Sequence, residues 1–536
     1  MRINLILRNG KVHTMDRGKP LAQAVAMAEG KIVAVGDDKE IEKEIGIERL
    51  SGPETDVIDL QGKTVIPGFT DAHVHFGDYA LSLDRANLDG AKSLEEALAR
   101  VEVKIEELEP GHWVQGWGWN HNDWIVPEFP TKKHLDRIAP HHPVALHRKD
   151  GHSVWVNSLA LERAGISADT PDPAGGQIDR DPQTGEPTGI LRERAMELVE
   201  DVIPRPTERH LQQALKEAMA KAHELGVTAV HNMEGADVFA ALQALHGRGE
   251  LKLRFCVSVP SDDLDEAIKL GLRTGFGDDW LRIGCVKMFA DGSLGSQTAL
   301  MLEPFEGQPD NLGIVVNSKE EIKDWVHRAL KAGLATAIHA IGDRANREVL
   351  DVYEEELRPE SGLRCRIEHV QLLHSDDIPR FAKLGVIASM QPIHATSDML
   401  AADKFWGKRS KGGYAWRSLL DSGARLAFGS DCPVEPLDPL LGVHAAVTRR
   451  RADGTPPGGW YPEQRITVDE AVYGFTMGAA YASGEEASKG SITVGKVADL
   501  VVLSQDIFTV DPMEILNTRV DYTIFAGEVV YDRGGR

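Results

Sequence analysis

The strongest constraint on the fold is an alternation between short apolar runs and segments with helical spacing, which extends from residue 65 to residue 431. Apolar runs without polar alternation are typical of buried parallel strands, and segments between them, such as "KEEIKDWVHRALKAG", end in glycine as many helices do. Eight runs with helical crossovers predict an α/β fold, a (β/α)8 TIM barrel. The predicted strands cover residues 65–76, 227–233, 251–259, 281–291, 334–343, 365–371, 385–392 and 425–431.

One interval in this alternation is too long for a crossover. About 150 residues separate the first run from the second, whereas loops in α/β units are short. The excess, residues 90–205, contains "GHWVQGWGWNHNDW" and "HRKDGHSVWVNSLAL". We interpret it as an insertion after strand one on the carboxyl-terminal face of the barrel, where active sites of this fold lie. We expect it to form a lid or a wall of the substrate pocket.

The two ends of the sequence have a different pattern of predicted secondary structure from the middle. Residues 1–64 read as short strands separated by turns, and residues 486–536 repeat that pattern. Neither end has enough strands to bury a sheet face well by itself. The sequence therefore predicts a small β-sandwich built from both termini, with the barrel domain over residues 65–485 between its two parts.

The composition limits which partners the protein can bind and which cellular compartment it is expected in. Asp plus Glu number 83 against 60 Lys plus Arg, a net charge of −23, which argues against binding to nucleic acid or to an anionic membrane. No apolar run is long enough to span a bilayer, and the apolar stretch before Arg8 is too short for a signal peptide, so we expect a cytoplasmic protein. The four cysteines are far apart in or beside apolar segments, which favours buried, reduced thiols.

Polar side chains stand where several predicted strands end. In "PGFTDAHVHF", His73 and His75 are two residues apart, so on a strand both point to the same side. Two histidines alone do not make a stable, closed zinc site. Further candidate ligands stand in or at the ends of other strands, and these are Lys287, His339, His369 and Asp431.

Each of these residues has an ordinary explanation when it is considered alone. An HxH pair is common by chance, and a single histidine in a strand is more often a hydrogen-bonded core residue than a metal ligand. An unsatisfied imidazole or bare charge in an apolar strand, however, costs on the order of several kcal/mol. Four histidines, one lysine and one aspartate at one rim of one predicted barrel together indicate a metal centre.

Five motifs resemble those of the amidohydrolase superfamily, and specifically its YtcJ-like branch. The resemblance extends over nearly the whole chain, including the split β-sandwich and the insertion. It implies that His73, His75 and Asp431 bind the more buried metal, and that His339 and His369 bind a second, more exposed one. Dimers are common among such relatives, although no interface is legible in the sequence. In chain order the motifs are "PGFTDAHVHF", "VKMFADGSLGSQTA", "AIHAIGDRA", "RIEHVQ" and "AFGSDCPV".

Lys287 matches the position where many such relatives carry a lysine carbamylated by CO₂, which supplies an anionic bridge between two metals. A protonated lysine beside two dications would be strongly repelled, whereas a carbamate offers two oxygens. The alternative is that Lys287 swings out to pair with Asp291, which leaves a single-metal site.

The expected metal is Zn²⁺, one or two ions per chain, because imidazole-rich ligation with a carboxylate suits it best; Fe, Co, Ni and Mn are the other candidates. Zinc lowers the pKa of its bound water toward about 7, so hydroxide would form at neutral pH and attack an sp² carbon of a small-molecule substrate. We expect Asp431 to be the catalytic residue that takes the proton and delivers it to the leaving nitrogen.

Other residues are candidates for substrate binding. His394, in "SMQPIHATSD", follows the seventh strand and would hydrogen-bond the substrate, unless it is a loop histidine facing water. Residues 293–297 follow the fourth strand and would supply loop contacts. Four residues of the insertion would line an apolar, aromatic pocket or else hold the insertion's own small core together, and these are Trp117, Asn120, His152 and Trp155.

These observations favour a metal-dependent hydrolase that cleaves a non-peptide C–N bond, either an amidase or an N-acyl or N-formyl amine deacylase. An aminohydrolase (deaminase) or a cyclic amidase on the same metal centre is the alternative. A deaminase ranks lower because no acidic cluster suited to reading a purine or pyrimidine is evident. The alternative outside the enzymes is a non-catalytic barrel scaffold. The sequence argues against it, because a scaffold has no physical need for five convergent ligands.

Overall fold

The central sheet of the computed structural model contains one strand from each of the eight predicted apolar runs. Neighbouring strands pair in chain order, and every pair is parallel. Beyond the last strand, the backbone N–H of Asp431 donates to the carbonyl of His73 at 2.8 Å, so the end of the sheet meets its beginning. The predicted TIM barrel is confirmed. Its strands are β1 (Phe69–Val74), β2 (Val227–Asn232), β3 (Arg254–Pro260), β4 (Leu281–Phe289), β5 (Ala335–Ala340), β6 (Arg366–His369), β7 (Ile387–Met390) and β8 (Arg425–Phe428).

The chain forms two compact units, a larger one with residues 1–77 and 215–536 and a smaller one with residues 78–214. The chain enters the smaller unit shortly after β1 and returns to the larger unit before β2. Domain limits at residues 64, 90, 205 and 485, and the role of a lid, stay predictions. The structure describes residues 3–45, 55–121, 124–148, 153–173 and 176–535.

Helices connect the barrel strands, and Lys319–Ala332 shows how the sequence sets their limits. Ser318 caps its start: the Ser318 hydroxyl accepts a hydrogen bond from the backbone N–H of Glu321, and the Glu321 carboxylate accepts one from the backbone N–H of Ser318. It ends at Gly333, whose φ of 80° lies in the left-handed region that glycine adopts without a steric cost. The other helices of the barrel region are Glu208–Glu224, Ala236–Gly247, Leu264–Leu270, Asp343–Glu356, Ile378–Leu384, Pro392–Phe405, Trp416–Asp421, Pro439–Thr448, Val468–Tyr473 and Ala479–Ala482.

The larger unit has two further sheets, one built from N-terminal strands alone and one that combines strands from both termini. Thr64–Pro67 pairs antiparallel with Leu500–Leu503, so that Val65 lies opposite Val502. One hydrophobic core takes buried side chains from both sheets, which confirms the predicted sandwich. In spatial order the first sheet contains Lys31–Gly36, Ala24–Ala28, Leu5–Arg8 and Asp56–Asp59, and the second Glu528–Asp532, Val520–Phe525, Leu500–Leu503, Thr64–Pro67, Lys11–His13 and Leu21–Ala22. A short helix, Asp38–Ile45, follows the first of these strands in the chain.

The predicted first strand, residues 65–76, contains two strands rather than one. Thr64–Pro67 belongs to the sandwich and β1 to the barrel, with Gly68 between them. A Cβ atom on Gly68 would lie 2.2 Å from the hydroxyl of Thr228, so no larger residue fits there. Both strands are apolar and only one residue separates them, which is why the sequence pattern does not divide them.

The smaller unit is built on a six-stranded mixed sheet. Helices Leu94–Glu106, Lys132–Ile138, Ser158–Arg163 and Glu197–Glu200 accompany it. Much of the tryptophan of the insertion is buried in the core of this unit. In spatial order the strands are Gly176–Arg180, Pro187–Glu193, Ser153–Val156, Val144–Arg148, Val114–Trp119 and Ala86–Asn87.

Two expectations from composition can be compared with the structure. All four cysteines are buried and free, as predicted. In the described part of the chain, no helix has both the length and the apolar character needed to cross a membrane.

Candidate metal centre

The six predicted ligand residues line one cavity of about 380 Å³ at the carboxyl ends of the barrel strands. Apolar side chains, among them Phe289 and Ile341, form part of the same wall. A volume of this size lies in the range of small-molecule sites. The residues that the structure brings together here are His73, His75, Lys287, His339, His369 and Asp431.

His73 and His75 project toward the same carboxylate, as the alternation of a strand requires. The Nε2 atoms of His73 and His75 lie 3.4 and 3.5 Å from Oδ1 of Asp431. Val74 between them is fully buried. The HxH motif therefore places two imidazoles beside the residue that follows β8.

Backbone strain brings His369 into the same group. On a regular strand Glu368 and His369 would point to opposite faces, yet both side chains reach the centre. His369 has a φ of 73°, in the left-handed region that non-glycine residues rarely adopt, and this turn breaks the alternation. Its ring centroid lies 4.8 Å from that of His73 and 4.5 Å from that of His339.

Each of these three imidazoles has one ring nitrogen bound to an oxygen. The Nδ1 of His73 donates to Glu368 Oε2 at 2.5 Å, and the Nδ1 of His369 donates to the Gln391 side-chain oxygen at 2.8 Å. The Nε2 of His339 donates to a backbone carbonyl at 2.9 Å. Because these oxygens only accept, the protons lie on the bonded nitrogens. The other nitrogen of each ring therefore keeps a lone pair of the kind that binds a metal.

The charge states also suit metal ligands. Burial lowers the pKa of His73 and of His369 and lowers the pKa of His339 to about 3, so these rings stay neutral. Burial alone would raise the pKa of Asp431, but His75, followed by the other imidazoles, outweighs it and holds the pKa well below its usual range. Neutral imidazole and ionised carboxylate are the forms that bind metals.

Glu368 and Arg366 are functional residues that the sequence reasoning missed. Glu368 is fully buried, and its Oε1 lies 2.7 Å from Nε of Arg366, which is also buried. Burial would raise the pKa of Glu368, but Arg366 and His73 outweigh it and hold the pKa at about 2. The signal was present in "RIEH": two opposite charges at i and i+2 share one face of an apolar strand.

Lys287 is buried within the cavity wall, and its Nζ has no hydrogen-bond partner among the described residues. The Nζ lies 3.9 Å from the centroid of the Phe289 ring. Burial lowers the pKa of Lys287 to about 8. The alternative of an ion pair with Asp291 does not form, because that carboxylate instead accepts hydrogen bonds from three backbone N–H groups at 2.8 to 3.0 Å.

The donor set as a whole fits a transition metal. One ligand atom each from His73, His369 and Asp431 lies within 4.8 Å of the others, and all three residues are buried. Imidazole and carboxylate with a hydrogen-bonded outer shell are ligands of zinc and related metals. An orphaned, buried lysine amine beside them is what a carbamate position would contain before CO₂ adds. The number of metals, their identity and the carbamate stay predictions.

His394 lines the same cavity, but it lies on a helix rather than in a loop. It is buried in the first turn of Pro392–Phe405, with Nε2 3.7 Å from Asp431 Oδ2. The alternative of a loop histidine facing water is therefore excluded, and a contact with the substrate stays a prediction. From the predicted segment 293–297, three residues line the cavity, namely Ser293, Leu294 and Gly295.

The four candidates from the insertion belong to the smaller unit. Trp155 is fully buried in the core of that unit, and its indole N–H donates to a backbone carbonyl at 3.0 Å. Trp117 is half-buried on a strand, and Asn120 accepts a hydrogen bond from Arg148 at 3.0 Å. His152 lies outside the described residues. A role for these residues in a substrate pocket stays a prediction.

The geometry agrees with the comparison of the whole chain with known proteins. A sequence model of the amidohydrolase family matches residues 56–531. YtcJ of Bacillus subtilis (strain 168), named as an amidohydrolase, is 33% identical over 538 residues, covering 98% of this chain and 99% of that protein. The N-substituted formamide deformylase of Arthrobacter pascens is 30% identical over 555 residues, covering 99% of each.

The fold has a close structural counterpart as well. The crystal structure of an uncharacterized metal-dependent hydrolase from Pyrococcus horikoshii OT3 superposes with a TM-score of 0.78 at 31% identity, covering 95% of this chain and 99% of that one. The chain belongs to the amidohydrolase family. It is a metal-dependent hydrolase that acts on carbon–nitrogen bonds other than peptide bonds.

Proposed function

We propose that the protein hydrolyses an N-acyl amine, with an N-substituted formamide as the leading substrate class. The observation that carries the proposal is the buried group of His73, His369 and Asp431, whose ligand atoms lie within 4.8 Å of one another in a substrate-sized cavity. The full-length likeness to a protein named as an N-substituted formamide deformylase supports the choice of substrate class.

In this proposal two metals, with zinc as the first choice, are held by six residues of the larger unit. His73, His75 and Asp431 hold the more buried ion, and His339 and His369 hold the second. When bound, the metals activate a water molecule for attack and polarise the substrate carbonyl. Lys287 would supply a further anionic ligand to them as a carbamate, which forms when its neutral Nζ makes an N–C bond with CO₂ and releases one proton.

Asp431 and His394 act on the substrate itself. Asp431 takes a proton from the attacking water on its carboxylate and hands it to the leaving nitrogen, which departs as a neutral amine. Gln371 Nε2 faces His394 Nδ1 at 3.4 Å, which leaves the His394 proton on Nε2. That N–H, which has no partner among the described residues, donates to the carbonyl oxygen as negative charge develops there.

The test combines metal analysis with a substrate panel. Purified protein is expected to contain between one and two equivalents of transition metal per chain. The loaded protein is then given N-formyl and N-acyl amines, esters and cyclic amides, and amine, acid and ammonia are assayed separately. Amine and acid in equal amounts support the proposal.

Other outcomes identify the alternatives. Ammonia without another amine indicates an aminohydrolase, and ring opening without a released amine indicates a cyclic amidase. A protein that folds but takes up no metal and hydrolyses none of these compounds supports the alternative of a non-catalytic scaffold.

A further inference from the structure

The cavity of the candidate metal centre carries two carboxylates that the proposed hydrolysis does not use. Asp398 and Glu435 line the cavity, and neither belongs to the residues that would hold a metal. Among the described residues that line it, Lys287 is the only lysine or arginine. Apart from the metal-binding residues, the cavity wall is therefore acidic.

The fold holds Asp398 in a defined position. His394 and Asp398 are four residues apart on the helix Pro392–Phe405, so both lie on the face that the helix turns to the cavity. The Tyr414 hydroxyl donates to Asp398 Oδ2 at 2.7 Å, and Tyr414 is itself buried. One carboxylate oxygen is thus fixed by the protein, which leaves Oδ1 for another donor.

Gln371, in the segment after β6, independently points to a ligand that donates hydrogen bonds. Its side chain is 3% exposed and lines the cavity. Its Nε2 faces His394, while its Oε1 has no hydrogen-bond partner among the described residues. A buried carbonyl oxygen without a donor has lost its hydrogen bonds to water without compensation, and a ligand N–H would supply one.

We propose that the amine half of the substrate carries a second, cationic nitrogen, an ammonium or guanidinium group bound by Asp398, Glu435 and Gln371 Oε1. The inference rests on the proposed function for the amide end of the substrate. The segments that supply these oxygens follow β6, β7 and β8. β4 and the segments after β4 and β5 contribute three apolar side chains to the cavity that suit a methylene spacer, and these are Phe289, Leu294 and Ile341.

The test compares three formamides of similar size on the metal-loaded protein: mono-N-formyl-1,5-diaminopentane, N-formylhexylamine and N-formyl-6-aminohexanoate. The value of kcat/KM is expected to be highest for the cationic compound, lower for the neutral one and lowest for the anionic one. The cationic compound should be preferred over the neutral one by at least about tenfold. Asp398→Asn and Glu435→Gln are each expected to lower that preference by at least about threefold. The matched control is Asp376→Asn, an exposed acid outside the cavity, which is expected to keep the preference.

A binding measurement separates this inference from the hydrolysis. Calorimetry compares pentylguanidinium, which does not ligate metals at neutral pH, with the neutral pentylurea. The guanidinium is expected to bind at least about tenfold more tightly, and Asp398→Asn combined with Glu435→Gln abolishes the difference. If no formamide is hydrolysed but this difference holds, the proposed function fails and the cationic site stands. Equal binding of the two compounds, or preference for the neutral or anionic formamide, overturns the inference.

Discussion

The Nδ1 of His73 meets Oε2 of Glu368 at 2.5 Å, and both side chains are almost fully buried. The second oxygen of Glu368 meets Arg366, so the carboxylate lies between an imidazole and a guanidinium. This arrangement decides which nitrogen of His73 faces the cavity. In the proposed metal centre, Glu368 would therefore act through His73 as a positioning residue.

Glu368→Gln is expected to weaken metal binding about 10- to 100-fold. The neutral amide is a weaker acceptor and also presents an N–H₂ group, so His73 loses its preference for the tautomer with a proton on Nδ1. Competition of the purified protein with a chromophoric chelator measures the affinity directly. Exposed Glu360 replaced by Gln is the matched control and is expected to bind metal as the parent does.

The same substitution leaves Arg366 buried without its carboxylate, so the metal-free variant is expected to lose about 3–5 kcal/mol of unfolding free energy. Arg366→Met combined with Glu368→Gln removes the uncompensated charge and should regain part of that stability. It should not regain the metal affinity. Parent-like affinity in the double variant would show that Glu368 serves only the stability of the barrel.

Asp431→Asn is expected to keep the far-ultraviolet circular dichroism spectrum of the parent and to lower kcat about 10²- to 10⁴-fold on the substrate found in the panel. An amide cannot take the proton from water and pass it to nitrogen. Metal content is measured on the same samples, because Asp431 is also a proposed ligand. Full turnover by this variant would rule out the assigned proton transfer.

In protein first saturated with metal, Lys287→Met is expected to reduce the metal content from two equivalents to one, because the proposed carbamate ligand is lost. Parent protein prepared with ¹³C-labelled bicarbonate should give a carbamate resonance that the variant lacks. Lys383, which is 69% exposed, provides the control substitution to Met. Unchanged metal content together with no labelled resonance in the parent would exclude the carbamate.

His223, away from the cavity, gives a prediction about pH and stability. Burial lowers its pKa from 6.5 to about 4, so between these values the unfolded chain binds more protons than the folded one. The unfolding free energy of the metal-free protein is therefore highest above pH 6.5. It falls by about 3 kcal/mol in total as the pH is lowered through this window toward 4.

His223→Gln is expected to flatten this dependence in urea unfolding between about pH 4 and pH 7. His444, whose pKa burial also lowers to about 4, should give the same flattening when it is replaced by Gln. A parent-like slope in both variants would contradict the assignment.

The strands and the convergence of the candidate ligand residues on one cavity could be predicted, because periodicity and residue type encode them directly. His73 and His75 share a face by alternation, and the apolar runs mark where each strand ends. The left-handed backbone of His369 is not encoded in that way. A regular strand would have turned Glu368 away from His369, which is why its carboxylate was missed.

Residues in the segments after the strands were harder to place. A loop position was one of the two alternatives for His394, although Pro392, two residues before it, is a residue that favours the first turn of a helix. Gln371 and Asp398 carry no periodic signal, since their importance comes from the cavity that three separate segments enclose. Trp155 could not be assigned to a pocket or to a core by composition, and the structure places it in a core.

The pairing of Thr64–Pro67 with Leu500–Leu503 has a consequence for the folding of the chain during its synthesis. During synthesis the first of these strands leaves the ribosome long before its neighbour has been translated. Until then its hydrogen-bonding edge stays open to other chains, as unpaired strand edges do. We therefore expect a nascent chain that stalls before residue 500 to leave this strand edge unpaired and to be more prone to aggregation than the full chain.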